Sequence, residues 1–394
     1  MSVYNIMDFG AVADGKTKNT QAIQKAIDAC YQAGGGRVLC GPGSFLTGSL
    51  ALKSNIELHL MPGCRIVGSP SLDDYQDLVA PGFIRNKAPE KSSISLIRAV
   101  EAENIAITGA GEINGSGLAF YDACSANSTG KLSKPHTPRP RIVMLYKCRN
   151  VRFEDASFID SPCWTLWLMK CREVNVCRVK IRGDRRMCNI DGIDIDSCRN
   201  VTVSDSFFET EDDCLAIRAM RNMYDTPAVC ENITVNNCVL DSRCNGIRIG
   251  CPGDGVIRNC TFSNLVIRNS LNNGILFEYP KRYLQKDGQA SAVVHDILFA
   301  NVAINCARWP IKIVVEDGIK LPKLADLSFS NFRIKSGGPC LVQGNRETIV
   351  RNVSFSNIEI ETSGEDAVIC RNCQGVKFAN VELTNRSGPI SDAK

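Results

Sequence analysis

The chain has 394 residues, of which 44% are hydrophobic and 22% are charged, and its formal net charge is +4. That length suits one large domain or two ordinary ones, and so small a charge gives no indication of nucleic-acid binding. The sequence contains no block of like charges and no apolar run near the roughly 20 residues that a membrane helix needs. We therefore expect neither a nucleic acid nor a membrane as a partner.

The first residues, 1–5, show neither the basic region nor the apolar run of a secretory signal. The 20 cysteines recur beside strand-like runs, which is typical of small apolar side chains stacked as reduced thiols. We therefore expect a cytoplasmic protein. Cys370 and Cys373 form the one Cys-x-x-Cys motif, and the chain has three His. We expect no zinc site, no other metal and no cofactor.

The first predicted element is a helix over about residues 17–33. Thr17, Asn19 and Thr20 offer capping oxygens, and the glycines at 34–36 end the helix. Its apolar residues recur at helical spacing on one stripe, at Ala22, Ile23, Ala26, Ile27 and Cys30.

From residue 38 onward the chain changes to short β-branched runs with turns between them. The segment 258–267 is echoed by the segment 351–360, with Asn at the same position of each unit. Weaker copies lie around Asp155, Asp205, Asn237, Asn301, Asn331 and Asn380, and from Asp205 onward the successive units are 23 to 37 residues apart. A repeat of this length with one strand face per unit indicates a solenoid.

These patterns together favour one fold. Within each unit the apolar residues alternate with polar ones, and an Asn at one bend of every coil can donate to the Asn of the next. A leucine-rich repeat lacks a matching Leu pattern here, and a β-sandwich has no reason to repeat Asn at one bend. We therefore predict an all-β fold, a single-stranded right-handed parallel β-helix. Its coils run over 38–394, its N-terminal helix caps the first coil, and 1–394 form one domain. Loops at 118–141 and 279–292 are predicted to wall a groove.

Two short segments about one coil apart carry the candidate chemistry. Asn189 and Asp191 are two residues apart, so we expect them to share a strand face. Asp212 follows 21 residues after Asp191, and Asp213 is next to it. Crowded carboxylates repel one another, so one tends to hold a proton while the others stay ionised. A proton donor beside an ionised base is the equipment for breaking a glycosidic bond. The alternative interpretation is an acidic surface ladder, or side chains that cap turns.

Further segments give the chain a resemblance to a known family. They are the opening 8–11 (Asp-Phe-Gly-Ala), the helix stripe, Gly34 to Gly36, 41–43 (Gly-Pro-Gly), 112–115 (Glu-Ile-Asn-Gly), 139–141 (Arg-Pro-Arg) and 161–164 (Ser-Pro-Cys-Trp). With the Asn-x-Asp at 189–191 and the Asp-Asp at 212–213, the chain resembles glycoside hydrolase family 28. These pectin-degrading enzymes include polygalacturonases and rhamnogalacturonan hydrolases, and the resemblance covers most of the chain.

The resemblance implies a role for each carboxyl group. Asp212 would be the general acid that protonates the leaving oxygen, and Asp191 and Asp213 would hold the attacking water. The reaction would be a single displacement with inversion, which needs about 6.5–9.5 Å between the acid and the base.

The chain departs from the family at its other two motifs. Asn245 stands where the family has the His of Gly-His-Gly. It can orient a carboxylate or a sugar hydroxyl, or it can be a turn residue before Gly. Leu276 and Glu278 stand where the family has the Arg and Lys that hold a galacturonate carboxylate. An apolar residue and an anion cannot hold that group, so we expect a neutral, rhamnose-like sugar on the leaving-group side.

Some of the cations and aromatic residues nearby are further candidates for sugar binding. Arg248, Arg218, Lys281 and Arg282 could hold an acidic sugar from another angle, although each is more often a solvated surface charge. The aromatic residues that could stack on sugar rings, or that could simply pack in the core, are Trp164, Trp167, Tyr279, Tyr283 and Trp309.

Three functions remain open from the sequence. The first is an inverting glycoside hydrolase whose partner is a pectic oligosaccharide. This includes the variant of a polygalacturonase with a rearranged carboxylate site. The second is a polysaccharide lyase in which Asp191, Asp212 and Asp213 hold calcium. The third is an inactive glycan-binding β-helix. Nothing in the sequence indicates an oligomeric state.

Overall fold

The computed structural model describes residues 2–284, 290–363 and 365–385. Its architecture is the right-handed parallel β-helix, which confirms the predicted fold class. The chain forms two compact units, one of Met1–Asp194 with Val201–Glu211 and the other of Ile195–Asn200 with Asp212–Lys394. A single domain over 1–394 stays a prediction.

The α-helix runs over Thr20–Gln32, inside the predicted bounds. Ile23, Ala26, Ile27 and Cys30 are fully buried, whereas Ala22 is half-buried at the edge of the stripe. The helix packs against the first strands of its own unit. It therefore covers apolar side chains that the first coil would otherwise expose, as predicted.

The strands up to residue 210 are short, and nearly all of the pairings between them are parallel. They are Val3–Asn5, Asp14–Lys18, Gly36–Cys40, Gly43–Thr47, Leu50–Ala51, Ile56–Leu60, Cys64–Gly68, Gln76–Asp77, Ile94–Val100, Glu103–Thr108, Glu112–Asn114, Arg141–Tyr146, Arg149–Glu154, Ser157–Ile159, Leu166–Met169, Arg172–Cys177, Lys180–Arg182, Ile193–Asp196, Arg199–Ser204 and Phe207–Thr210. The exception is Gln76–Asp77, which pairs antiparallel with Ile94–Val100.

From residue 215 onward several strands become longer, because one run bends through two faces of a coil. The strands are Leu215–Ala219, Val229–Asn236, Val239–Ser242, Asn245–Gly253, Val256–Ser270, Asn273–Tyr279, Val293–Cys306, Trp309–Val315, Lys323–Ser336, Cys340–Gln343, Val350–Thr362, Val368–Arg371, Cys373–Gln374 and Lys377–Asn385. Short 3-10 helices lie at Ile6–Phe9, Leu72–Asp74, Arg85–Lys87, Pro89–Lys91, Gly117–Phe120, Ala123–Ser125, Arg221–Met223 and Lys281–Tyr283.

The Asn residues of the repeat form the predicted ladder. In the second unit each side-chain amide donates to the amide oxygen of the Asn one coil earlier, over 2.9–3.1 Å. All these bends have φ between 52° and 58°, a left-handed conformation that Asn tolerates better than most residues. The ladder consists of Asn264, Asn301, Asn331, Asn357 and Asn380.

Aromatic side chains stack along the same coils. Neighbouring rings are nearly parallel, with centroids 4.5–5.6 Å apart. This spacing follows from the strand separation, since identical positions on adjacent coils lie one strand apart. The stack consists of Phe262, Phe299, Phe329, Phe355 and Phe378.

The predicted loop at 118–141 folds back onto its own unit. Tyr121 and Leu132 from this loop pack in one apolar cluster with Met187 and Ile190. Leu132 N–H also donates to the backbone oxygen of Arg186 at 2.8 Å. The loop is thereby fastened to the segment that carries the Asn-x-Asp motif. Of the second predicted loop, residues 285–289 lie outside the described part.

None of the helices in the described ranges combines the length and the apolar character needed to span a bilayer.

Candidate active site

The acidic turn at 212–213 is held by the next coil of the second unit. It leads directly into the strand Leu215–Ala219. Ser242 Oγ donates to the backbone oxygen of Asp212 at 2.7 Å, and Cys214 N–H donates to the backbone oxygen of Asn245 at 3.1 Å. These bonds fix the direction of both carboxyl groups, because the turn cannot rotate without losing them.

Asp213 is the buried member of the pair, with 1% of its surface exposed, whereas Asp212 is half-buried. Asn245 Nδ2 donates to Asp213 Oδ1 at 2.6 Å. Arg248 Nη1 lies 3.7 Å from Asp213 Oδ2 and Arg218 Nη2 lies 3.9 Å from it. A buried carboxylate is costly unless it is compensated, and here an amide and two guanidinium groups share that task.

Burial raises the pKa of Asp213 to about 6, and the negative charge of adjacent Asp212 also raises it. Arg248, Arg218 and the Asn245 hydrogen bond act in the opposite direction. Near neutral pH the Asp213 carboxyl group is therefore close to its pKa, and it can both hold and release a proton. A carboxyl group of this kind beside a second carboxyl group suits the acid–base chemistry of a hydrolysis.

Asp213 Oδ2 is the oxygen best placed for a substrate water. It is buried, and it accepts no hydrogen bond from the residues that the structure describes. Buried polar atoms normally have a partner, so such an atom in a cluster of charges calls for a ligand or a water. Its distance to both guanidinium groups leaves it available to accept a proton.

Asn245 belongs to a column of amides. Asn273 Nδ2 donates to Asn245 Oδ1 at 2.6 Å, and Asn245 in turn donates to Asp213. Asn245 is 2% exposed and is the first residue of a strand rather than a turn residue. The structure therefore favours the carboxylate-orienting alternative. Asn273 was not singled out by sequence, although its Asn-Gly pair repeats that of Asn245 and Gly246.

Glu278 is bound by two guanidinium groups. Arg248 Nη2 donates to Glu278 Oε2 at 2.9 Å and Arg282 Nη2 donates to the same oxygen at 2.8 Å. The Tyr283 ring lies under both groups, 5.9 Å from Arg248 and 4.8 Å from Arg282. Glu278 is therefore a compensated anion rather than the isolated one expected from the sequence. Its two partners come from the neighbouring coil and from four residues ahead.

Two predicted site residues lie in the first unit. Asn189 adopts a left-handed conformation, with φ of 59°, and Asp191 is 1% exposed. The predicted shared strand face is wrong, because the chain is not extended at Asn189 and the strand begins only at Ile193. Thr165 N–H donates to the backbone oxygen of Asp191 at 3.0 Å. The other five predicted residues, which are Asp212, Asp213, Asn245, Arg248 and Glu278, belong to the second unit.

A buried arginine holds the Asn189 turn. Arg139 is 1% exposed, and its Nη1 donates to the backbone oxygen of Cys188 at 2.8 Å. Its Nη2 donates to Asn189 Oδ1 at 3.0 Å and to Glu90 Oε2 at 2.9 Å. Tyr121 Oη adds a bond to the same Cys188 oxygen at 2.8 Å. In the sequence Arg139 stands out only as part of the Arg-Pro-Arg segment, and no local pattern marks its partners, since they are distant in the chain.

The aromatic residues that could stack on sugar rings differ in how far their side chains are exposed. Trp164 and Trp167 are 5% and 0% exposed and enclose the Arg141 guanidinium, so they pack in the core. Tyr279 is 2% exposed, whereas Tyr283 is 39% exposed and Trp309 is half-buried. Tyr283 is thus the aromatic candidate that combines exposure with contact to Arg248 and Arg282.

Among the residues that the structure describes, two clusters bring possible metal ligands close together. Asp212, Asp213 and Cys244 offer ligand atoms within 4.8 Å of one another, as do His295, Asp296 and Asp326. Calcium and magnesium prefer all-oxygen ligands, so the thiol of Cys244 makes the first set a poor match. In the second set Asp326 already accepts from Asn352 and pairs with Lys323 at 2.8 Å.

Comparison with known proteins finds one matching family model in the first part of the chain. Residues 83–232 match the model of glycosyl hydrolases family 28. This range includes Asp191, Asp212 and Asp213, and it ends before Asn245 and Glu278, where the chain departs from the family motifs.

Two curated relatives align with most of this chain. The chain is 25% identical to an endo-polygalacturonase of Pectobacterium carotovorum subsp. carotovorum, over 88% of this chain and 85% of the relative. It is 25% identical to the exopolygalacturonase clone GBGE184 of Arabidopsis thaliana, over 76% of this chain and 72% of the relative. The structure is similar to the hyperthermoactive exopolygalacturonase from Thermotoga maritima. The TM-score is 0.77 and the identity 24%, with 97% of this chain and 92% of that one covered.

The similarity to the Thermotoga maritima structure concerns the fold alone. The family match over residues 83–232, in contrast, includes the acidic turn at 212–213. The matched range and the relatives together show similarity to glycoside hydrolase family 28, and they identify the chain as a pectin-degrading hydrolase of O-glycosyl bonds.

Proposed function

We propose that the protein hydrolyses pectic oligosaccharides with inversion of the anomeric carbon, and that its leaving-group subsite takes a neutral, rhamnose-like sugar. The observation that carries the substrate proposal is the ion pair between Arg248 and Glu278 at 2.9 Å. Glu278 stands where the family resemblance places one of the two cations that hold a galacturonate carboxylate, and Leu276 stands at the other position. The relatives named as polygalacturonases support a pectic substrate in general.

The charges favour a neutral sugar for a physical reason. The Arg248 guanidinium already faces two carboxylates, Glu278 at 2.9 Å and Asp213 at 3.7 Å. A sugar carboxylate would have to compete with both of them for the same cation. Sugar hydroxyls, in contrast, both donate and accept, so they can bond to the guanidinium and to the carboxylate of one pair. Leu276, which is 4% exposed, adds an apolar surface that suits a deoxy sugar's methyl group.

In the proposed reaction Asp212 protonates the glycosidic oxygen while water attacks the anomeric carbon. Asp213 Oδ2 accepts a proton from that water, so the bond to the leaving sugar breaks as the new C–O bond forms. The half-buried carboxyl group of Asp212 can reach a substrate, whereas buried Asp213 cannot move far from Asn245. The part of Asp191 in holding the water stays a prediction from the family resemblance.

The experiment is product analysis on galacturonan, rhamnogalacturonan I and neutral plant glycans, with proton NMR to follow the anomer released. Cleavage of rhamnogalacturonan with an inverted product is the expected result. Cleavage confined to galacturonan would overturn the neutral subsite. A product that absorbs as an unsaturated sugar, with loss of activity in a chelator, would identify a lyase instead. Binding without cleavage of any substrate would favour a glycan-binding role.

A second candidate rests on Arg282. This residue is 58% exposed at its side chain and lies over Tyr283, so its guanidinium can turn from Glu278 towards solvent. A polygalacturonase with a rearranged carboxylate site would use it for the galacturonate. Arg282→Gln separates the two candidates, because only the second one predicts a higher KM for galacturonan.

We also propose a cytoplasmic location. The 19 cysteines whose state the structure describes are all free, and most of them are buried. Buried free thiols at sites where a repeat needs small apolar side chains suit a reducing compartment. Fractionation of cells that express the native gene would test this, with recovery outside the cytoplasm as the contrary result.

A further inference from the structure

The outer face of one sheet in the second unit carries a row of aligned side chains. Ala216 pairs with Arg248, Arg248 with Leu276, Leu276 with Lys312, and Lys312 with Leu341. The residues on either side of each row member are buried, as Ile311 and Ile313 are around Lys312. Since side chains alternate along a strand, the row itself points away from the coil interior.

Lys312 is the one cation in this row without a carboxylate beside it. No ion pair or hydrogen bond joins its ammonium group to another residue within 2–284, 290–363 and 365–385, although the side chain is half-buried. Its neighbours on both sides are Leu276 and Leu341, which are 4% and 7% exposed. A lysine whose stem lies over apolar side chains and whose ammonium group has no carboxylate beside it can offer its charge to an anion.

We propose that Lys312 binds the carboxylate of an acidic sugar, one residue further along the substrate than the neutral sugar beside Leu276. The inference rests on the proposed function, which places the leaving-group sugar at the Leu276 coil. Adjacent coils lie about 4.8 Å apart, which is comparable to the length of one sugar residue in a chain. Each coil after the acidic turn therefore faces about one further sugar.

The charge pattern of the row then matches an alternating substrate. At the Leu276 coil, Glu278 is paired at 2.9 Å with the cation Arg248 of the preceding coil, so an additional anion gains little. At the next coil Lys312 is paired with two apolar residues, Leu276 and Leu341, and no carboxylate beside it competes with an anion. A neutral sugar followed by an acidic one meets both conditions. A uniform chain of acidic sugars meets only the second.

The test compares Lys312→Gln with the wild type on two oligosaccharides that differ in one group. One carries the acidic sugar at the second position beyond the scissile bond, and the other has that carboxyl group reduced to the alcohol. We expect Lys312→Gln to raise KM about tenfold on the acidic substrate, the loss of one charge-assisted hydrogen bond, and to leave KM on the reduced substrate unchanged. The matched control is Lys335→Gln, since Lys335 pairs with Glu361 at 3.5 Å on another face of the unit.

The outcomes separate this inference from the proposed function. An equal rise in KM on both substrates, or none on either, would overturn the role of Lys312. If the wild type cleaves neither substrate, the proposed function fails, and calorimetric binding of the acidic and the reduced oligosaccharide to both proteins still decides about Lys312. Weaker binding of the acidic one alone in Lys312→Gln would support the carboxylate site. Identical binding by the two proteins would overturn it.

Discussion

Asn245 donates its side-chain amide hydrogen to the Asp213 carboxylate over 2.6 Å, at the position where the family carries a titratable His. An amide keeps the same charge at every pH, so it can orient the carboxylate but cannot exchange a proton with it. Asn245 therefore lowers the pKa of Asp213 through its hydrogen bond without taking up a proton itself.

The first prediction concerns pH. The Asn245 hydrogen bond lowers the pKa of Asp213, so Asn245→Ala removes a stabilising contact of the ionised form and raises that pKa above its value of about 6. The ionised base is lost as pH falls through its pKa. The acidic limb of the kcat/KM profile should therefore move to higher pH in Asn245→Ala. Asn273→Ala, which removes only the outer amide, should shift the limb less, and an unmoved limb in both variants would exclude Asp213 as the base.

The second prediction concerns the acid. Asp212→Asn removes the group that protonates the leaving oxygen, and kcat should fall by about 100- to 10,000-fold. Near-normal turnover would contradict the assignment. In the same assay, Asp191→Asn tests whether Asp191 holds the attacking water, as the family resemblance implies.

The third prediction concerns Glu278. Glu278→Gln leaves Arg248 and Arg282 without their shared anion, and Glu278→Lys adds a further cation. Both variants should cleave galacturonan oligomers better than the wild type, because a sugar carboxylate then meets uncompensated positive charge. The measurement is kcat/KM on galacturonan and on rhamnogalacturonan oligomers. If neither variant gains on galacturonan, charge at this position does not set the substrate.

The fourth prediction concerns Arg139. Arg139→Lys keeps the charge that faces Glu90 but cannot hold both Cys188 and Asn189, so the turn that carries Asp191 loses its fixed position. A misplacement of about 1 Å costs on the order of 100-fold in rate, and we expect a loss of that size in kcat with little change in KM.

The matched control is Arg141→Lys, a substitution of an equally buried arginine that bonds to the backbone of Ser92 and Pro89. It should lower the melting temperature without a comparable loss of kcat. Hydrogen exchange of residues 183–192 should be faster in Arg139→Lys than in Arg141→Lys. Equal exchange and equal kcat in the two variants would leave Arg139 with a purely structural role.

The fold was largely predictable from the sequence, because the same residues and the same interaction recur in each coil of the repeat. Asn301 and Asn331 stand at corresponding bends, and one ladder explains both of them. The N-terminal capping helix was predictable because its apolar residues also recur at a regular spacing. Ile23 and Ile27, for example, lie on one face and are both buried. Patterns of this kind depend on spacing along the chain, which the sequence displays directly.

The site was predictable only where it follows a motif. Asp212 and Asp213 are adjacent in sequence, but the partners of Glu278 depend on the register between coils. Lys312 was missed because the intervening segment varies in length, so no fixed spacing marks it as the neighbour of Leu276. A long-range partner becomes visible only when the strands are paired.

The Asn ladder has a consequence for how such a protein changes over generations. Each coil bonds only to the coils before and after it, so a duplicated segment from one ladder Asn to the next could be inserted without breaking the rungs on either side. An extra coil between Leu276 and Lys312 would carry the ammonium group one strand further from the acidic turn. The distance between the acidic turn and the proposed carboxylate site would then increase by about one sugar residue in a single genetic event. The reacting groups would stay as they are.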